Sequence, residues 1–185
     1  MRIKPTDNFF FAVAPDAVAN LRAQAVADTR AAELGQPGYW APAACRHVSI
    51  AGVGSGAWVT EAILDDLRAM VDGFAAPAFR VALNRFESWP GRSRPWVLTG
   101  DEGVIGFQQL LDALRLKLKA AGFDPPWPAT LTAHMTLARN GPQADPMLIP
   151  AISWEVTELV LIQSHVGEGR YTIVARWPLK ALAPA

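Results

Sequence analysis

With 185 residues, 51% hydrophobic and 18% charged, the chain has the size and composition of one globular domain, or of two small lobes sharing a core. Seventeen basic residues balance seventeen acidic ones, which argues against tight, sequence-independent binding of long nucleic acid and leaves room for a small anionic substrate or an RNA end. The lone cysteine, Cys45, excludes an internal disulfide and a cysteine-based structural zinc site, and no apolar run reaches the length of a membrane span.

Met1 to Lys4 followed by Phe9 to Ala14 faintly mimics a signal peptide, but the apolar stretch is short and runs into Pro15-Asp16. Residues 8–14 therefore predict a buried first strand, and the chain is expected to be cytoplasmic. Asp16 is the expected N-cap of an alanine-rich helix reaching Leu34, broken by Gly35, Pro37 and Gly38. Arg46 to Val53 alternates and is β-prone, closed by Gly52, Gly54 and Gly56. A helix over 58–71 follows, with Ile63, Leu64, Leu67 and Val71 at helical spacing. Two strands at 78–88 and 93–99 flank the Pro90-Gly91 turn.

Residues 104–121 predict the clearest helix, with a stripe of Ile105, Leu110, Leu111, Leu114 and Leu118 and Gly122 as its C′ residue. After the proline-rich loop 124–128, the pattern predicts strands at 130–138, 154–163 and 170–179, the last two joined around Gly167 and Gly169. Only Ala181 to Ala185 reads as a disordered tail. The interspersed hairpins point to an α+β fold of antiparallel sheets rather than a doubly wound parallel sheet. No exact repeat is present. Each half nevertheless offers a helix followed by a strand carrying His, one hydrophobic residue and then a hydroxyl residue.

That pattern occurs at His47-Val48-Ser49-Ile50 and at His134-Met135-Thr136-Leu137. Ser and Thr supply 15 of the 185 residues. Two of three histidines would have a hydroxyl at +2 by chance only about 2% of the time. On a strand, residues two apart share a face. Each motif thus presents an imidazole and a hydroxyl to one side, while Val48 and Ile50, or Met135 and Leu137, anchor the other. Two such strands side by side would surround one anion with two imidazoles and two hydroxyls. Phosphodiester cleavage without a metal needs this set: a base for water, an acid for the departing oxygen, and donors such as Ser49 and Thr136 for the non-bridging oxygens. The ligand runs of a two-metal phosphodiesterase are missing. The alternative is that both are hydrogen-bonded strand histidines with no chemical role.

Other residues admit two readings each. Cys45 shares strand parity with His47, so a thiol nucleophile competes with a small buried cysteine; no orienting Asn or Asp favours the former. His165, in the turn-prone Ser164-His165-Val166-Gly167, is expected at the surface. Arg139 could contact a phosphate, although parity sets it with Met135 and Leu137 unless a bulge or the strand end re-aims it. Trp40, Trp96 or Trp127 could stack on a base or serve in packing. Arg85, Arg92 and Arg94 could steer an anion or form a solvated hairpin tip.

The two motifs resemble the signature of the two-histidine (2H) phosphoesterase superfamily, and within it the LigT-like RNA 2′,3′-cyclic phosphodiesterases of the 2′-5′ RNA ligase family. The resemblance spans nearly the whole chain. It includes Phe10 to Asp16 as an opening strand, Trp40-Ala41-Pro42 before the first motif, and His134 to Arg139 as the second. It continues from Val156-Thr157-Glu158-Leu159 through Gln163-Ser164 and Tyr171 to Trp177-Pro178-Leu179 as a closing hairpin. Ser49 stands where Thr is usual, Ala51-Gly52-Val53-Gly54 replaces the common continuation, and Ala133 stands where Pro is common; these leave subfamily and substrate open.

The resemblance implies one bilobal domain over residues 1–185, with two pseudo-symmetric lobes of antiparallel sheet and helices around a central groove. It implies His47 as proton donor to the leaving oxygen, His134 as proton acceptor from water, and no metal or other cofactor. The expected activity is hydrolysis of an RNA or nucleotide 2′,3′-cyclic phosphate to a phosphomonoester. The alternatives are another small cyclic or 2′-5′-linked nucleotide, a nucleotide-sugar phosphate, or a non-catalytic RNA- or nucleotide-binding module. The expected partner is an RNA 3′ end or a small cyclic nucleotide, with no membrane, and the chain is expected to act as a monomer.

Overall fold

Asp16 caps the first helix as its sequence predicts, its carboxylate accepting from the Ala19 N–H at 2.7 Å. The structure is a computed structural model that describes residues 2–124 and 126–181, with only the backbone of Glu102; the rest of the expected tail, residues 182–185, lies outside the described residues. The elements in chain order are β1 (Asn8–Val13), α1 (Ala17–Leu34), β2 (Tyr39–Trp40), β3 (Val48–Ser55), α2 (Glu61–Val71), β4 (Phe79–Ser88), β5 (Trp96–Thr99), α3 (Ile105–Ala120), β6 (Met135–Arg139), β7 (Met147–Val156), β8 (Glu158–His165) and β9 (Arg170–Pro178).

The strands form one antiparallel sheet in the order β7-β4-β5-β6-β3-β1-β8-β9, with β2 paired to β6. The fold is thus α+β, with a large antiparallel sheet and three α-helices among the described residues, and it divides between β6 and β3 into one half of β7, β4, β5 and β6 joined by the short β2, and another of β3, β1, β8 and β9. In each half a strand, a helix and an antiparallel neighbouring strand follow in sequence: β1-α1-β3 on one side and β5-α3-β6 on the other. The helices cross over. α1 packs against β6 and β7, and α3 packs against α2, β3 and β4. The buried face of α1 is Ala19, Ala23, Ala27 and Ala31, a ridge of small side chains that allows close approach to the sheet.

α3 buries Phe107, Leu110, Leu111, Leu114 and Leu118, whereas Ile105, expected in the stripe, is exposed at the first turn. Its end is a Schellman motif: Gly122 has φ 87°, the Phe123 N–H reaches the Leu118 carbonyl at 2.9 Å, and the Gly122 N–H reaches that of Lys119 at 3.0 Å. α2 begins later than expected, with Thr60 capping the Ile63 N–H, and buries Leu64, Leu67 and Val71. No helix among the described residues is long and apolar enough to cross a membrane.

The last third departs from the sequence pattern. Residues 130–134 lie outside strand β6, so both histidines stand immediately before their strands. The expected strand over 154–163 is the end of β7 and most of β8, parted at Thr157. β7 starts at Met147 and contains Pro150. It tolerates a proline because it is the sheet edge and carries an irregularity there, Leu83 pairing with Ile152 but Arg85 with Leu148.

Candidate active site

β3 and β6 meet at one register pair, Val48 with Met135. Beyond it β2 takes up the edge of β6, Trp40 opposite Ala138 and Tyr39 opposite Arg139. Val48 and Met135 are both fully buried, so their chain neighbours point to the opposite face. Each imidazole is then anchored in the same way. The Nδ1 of His47 lies 2.8 Å from the carbonyl of Cys45, and the Nδ1 of His134 lies 2.9 Å from that of Thr132. A carbonyl only accepts, so Nδ1 carries hydrogen in both rings and Nε2 is the basic nitrogen of the neutral form. The Nε2 of His47 is 3.0 Å from the Ser49 hydroxyl.

His47, Ser49, His134, Thr136 and Arg139 line one cleft of about 460 Å³. The β8–β9 hairpin supplies the facing wall through Arg170 and Tyr171, and Tyr39 and Pro42 close one end. Among the described residues no Asp or Glu lines this cleft, so its charged side chains are cationic although the chain as a whole is neutral. The parity objection to Arg139 is overturned by a bulge. Val97 pairs with Thr136 but Trp96 with Ala138, so Leu137 is an extra residue and alternation is lost after it. Ala138 is buried and Arg139 turns out towards the cleft.

Burial lowers the pKa of His47 below the ordinary histidine value, and the nearby His134 and Arg139 push it in the same direction, against the Cys45 carbonyl. Phe10 stacks on the ring at 4.8 Å between centroids, and Tyr171 meets it edge-on at 5.4 Å. Tyr171 has its own pKa pushed up to about 12, chiefly by burial and then by Cys45, so its hydroxyl stays protonated. Burial raises the Cys45 thiol as well. Its Sγ lies 3.3 Å from the Gly169 carbonyl, as expected of a packed cysteine and not of a thiolate nucleophile.

Several secondary expectations need correction. His165 is not at the surface: it is 7% exposed, with Nε2 2.8 Å from the Thr172 hydroxyl and Nδ1 3.7 Å from Asp7. It sits at the end of β8 and borders the cleft. Trp96 is fully buried against Phe86, and Trp40 packs edge-on against it. Trp127 donates to the Gly52 carbonyl and packs on Phe11. None of the three lines the cleft. Arg85 pairs with Asp101 at 3.1 Å, while Arg92 and Arg94 are exposed at the turn.

The family model described as "2'-5' RNA ligase superfamily" matches residues 11–168, which include both motifs and the bulge. The chain belongs to this superfamily. Among solved structures, the apo form of E. coli LigT superposes with a TM-score of 0.72 at 26% identity, covering 96% of this chain and 99% of that one. Its complex with 3′-AMP gives 0.70 at 26% identity, over 94% and 98%. TT0787 of Thermus thermophilus gives 0.74 at 23% identity, over 94% and 98%, a likeness of fold. No curated protein matches the chain. Within this 2H phosphoesterase fold, sequence reasoning passed over the aromatic shell of the two imidazoles: Phe10 and Tyr171 about His47, and Trp89 against His134. For Phe10 the signal was available, since Phe9 and Phe11 are core and strand alternation turns Phe10 to the other face.

Proposed function

We propose that the protein hydrolyses the 2′,3′-cyclic phosphate of an RNA 3′ end or a nucleotide, with His134 as base and His47 as acid. The observation that carries this is the convergence of both imidazoles, each anchored through Nδ1, on one cationic cleft with two hydroxyls and a guanidinium. His134 takes a proton from water as its oxygen attacks phosphorus. One phosphorus–ribose oxygen bond breaks, and His47 gives its proton to the departing oxygen, leaving a phosphomonoester. Ser49, Thr136 and Arg139 donate to the non-bridging oxygens, where charge accumulates in the transition state.

The depressed pKa of His47 fits this role once substrate is bound. An anionic phosphate beside the ring offsets burial and the cationic neighbours, so the acid becomes charged when the substrate arrives. The cleft volume suits a nucleotide. E. coli LigT has been crystallised with 3′-AMP, a nucleoside monophosphate of the kind that ring opening yields.

The test is turnover of adenosine 2′,3′-cyclic phosphate and of an oligoribonucleotide ending in the same group, by the wild type, His47→Ala and His134→Ala. Each variant should keep its fold and lose turnover, and EDTA should leave the wild-type rate unchanged. Full activity in either variant ends the assignment. Turnover of a 2′-5′-linked dinucleotide alone would keep the site and change the substrate.

A further inference from the structure

We infer that Trp89, itself steered by Glu87, is a positioning residue that sets the plane of the His134 imidazole; the inference rests on the two-histidine reading. The Nδ1 bond to Thr132 is a single hinge, about which the ring can still swing. The Trp89 indole lies tilted against that ring, with centroids 4.5 Å apart and planes at 54°. Trp89 does not line the cleft with His134. It borders an adjacent depression together with Glu87, Thr99 and Thr132.

The indole is itself fixed. Its Nε1–H donates to Glu87 Oε2 at 2.6 Å, and Glu87 Oε1 accepts from the Thr99 hydroxyl at 2.8 Å. The Trp89 N–H bonds to the Pro95 carbonyl at 3.0 Å, which holds the backbone of the β4–β5 turn. A chain of contacts thus runs from Thr99 through Glu87 and Trp89 to the proposed base. Glu87 lies near the end of β4 and Trp89 directly follows the strand. His47 is clamped differently, by Phe10 and Tyr171 directly. A general base must aim its lone pair at the attacking water, and misplacing it by about 1 Å can cost about a hundredfold in rate.

The experiment compares steady-state kinetics on adenosine 2′,3′-cyclic phosphate for Trp89→Ala, Glu87→Ala, Glu87→Gln and His134→Ala, with thermal melting of each. Trp89→Ala and Glu87→Ala should lower kcat by roughly tenfold to hundredfold with KM within about twofold of wild type. Glu87→Gln should restore kcat, because the amide oxygen accepts the indole N–H and the amide nitrogen donates to Thr99. If Trp89→Ala melts before assay, Trp89→Phe, which keeps a ring without the Nε1–H, should still show a lowered kcat. Unchanged kcat in the Trp89 and Glu87 variants, beside an inactive His134→Ala, overturns the positioning role alone. So does a change confined to KM, or a Glu87→Gln as impaired as Glu87→Ala. Activity in His134→Ala overturns the underlying reading instead.

Discussion

Val48 on β3 and Met135 on β6 are antiparallel partners, and both are fully buried. That single pairing brings the first motif alongside the second, and the Nε2 of His47 lies 3.0 Å from the hydroxyl of its own motif, Ser49. Diagonal neighbours in such a pair are roughly 7–8 Å apart, and both imidazoles line the same cleft.

Ser49 and Thr136 line the same cleft and are testable one at a time. Thr136→Val and Ser49→Ala should each lower kcat by on the order of a hundredfold through loss of a donor to the developing charge. The double variant should fall short of the product of the two effects, since both hydroxyls serve the same phosphate. Single-turnover rates measure this; an unaltered rate in both variants would remove the hydroxyls from the chemistry.

The pH dependence should differ between the free and the substrate-bound enzyme. In its proposed role as acid His47 must be protonated, and its pKa in the empty cleft lies below the ordinary histidine value of 6.5, first through burial and then through His134 and Arg139. The alkaline fall of kcat/KM, which reports the free enzyme, should therefore come at lower pH than the alkaline fall of kcat. Coincident alkaline limbs would show that bound phosphate does not raise His47.

Arg139, which lines the same cleft, is expected to affect both quantities. Arg139→Ala should raise KM by about tenfold or more through loss of a charge-assisted contact. It should also move the alkaline limb of kcat/KM to higher pH, because removing a cation near His47 makes the imidazole easier to protonate. An increase in KM with no movement of that limb would separate phosphate binding from the tuning of His47.

Gly141, just after the Arg139 strand end, should tolerate no side chain. A Cβ there would come within 2.3 Å of the Trp96 Nε1, and Trp96 is fully buried with that nitrogen bonded to the Pro142 carbonyl at 2.9 Å. Gly141→Ala should cost about 1–3 kcal/mol, read as a lower urea midpoint at an unchanged slope. An unchanged midpoint would mean that the turn shifts without cost.

A comparable balance governs how much of this protein is visible in its residues alone. Local chemistry determines the helices, because Asp16 can cap α1 and Gly122 can close α3 whatever packs on them. Strand alternation likewise pairs each histidine with its hydroxyl, and the resemblance at the two motifs led to the superfamily that the chain belongs to. β7 was hidden because Pro146 and Pro150 look like loop signals, and only the position of β7 at the sheet edge makes a proline harmless there. The bulge at Leu137 depends on how β6 meets β5, so the direction of Arg139 could not be read from parity. His165 lies close to glycines in the chain yet is buried against Asp7, from the far end of the sequence. The aromatic clamps on His47 and His134 come from β1, β9 and the end of β4. Periodicity and capping are properties of neighbouring residues; edge position, bulges and the surroundings of an imidazole are set by distant segments brought together, and only the tertiary structure decides them.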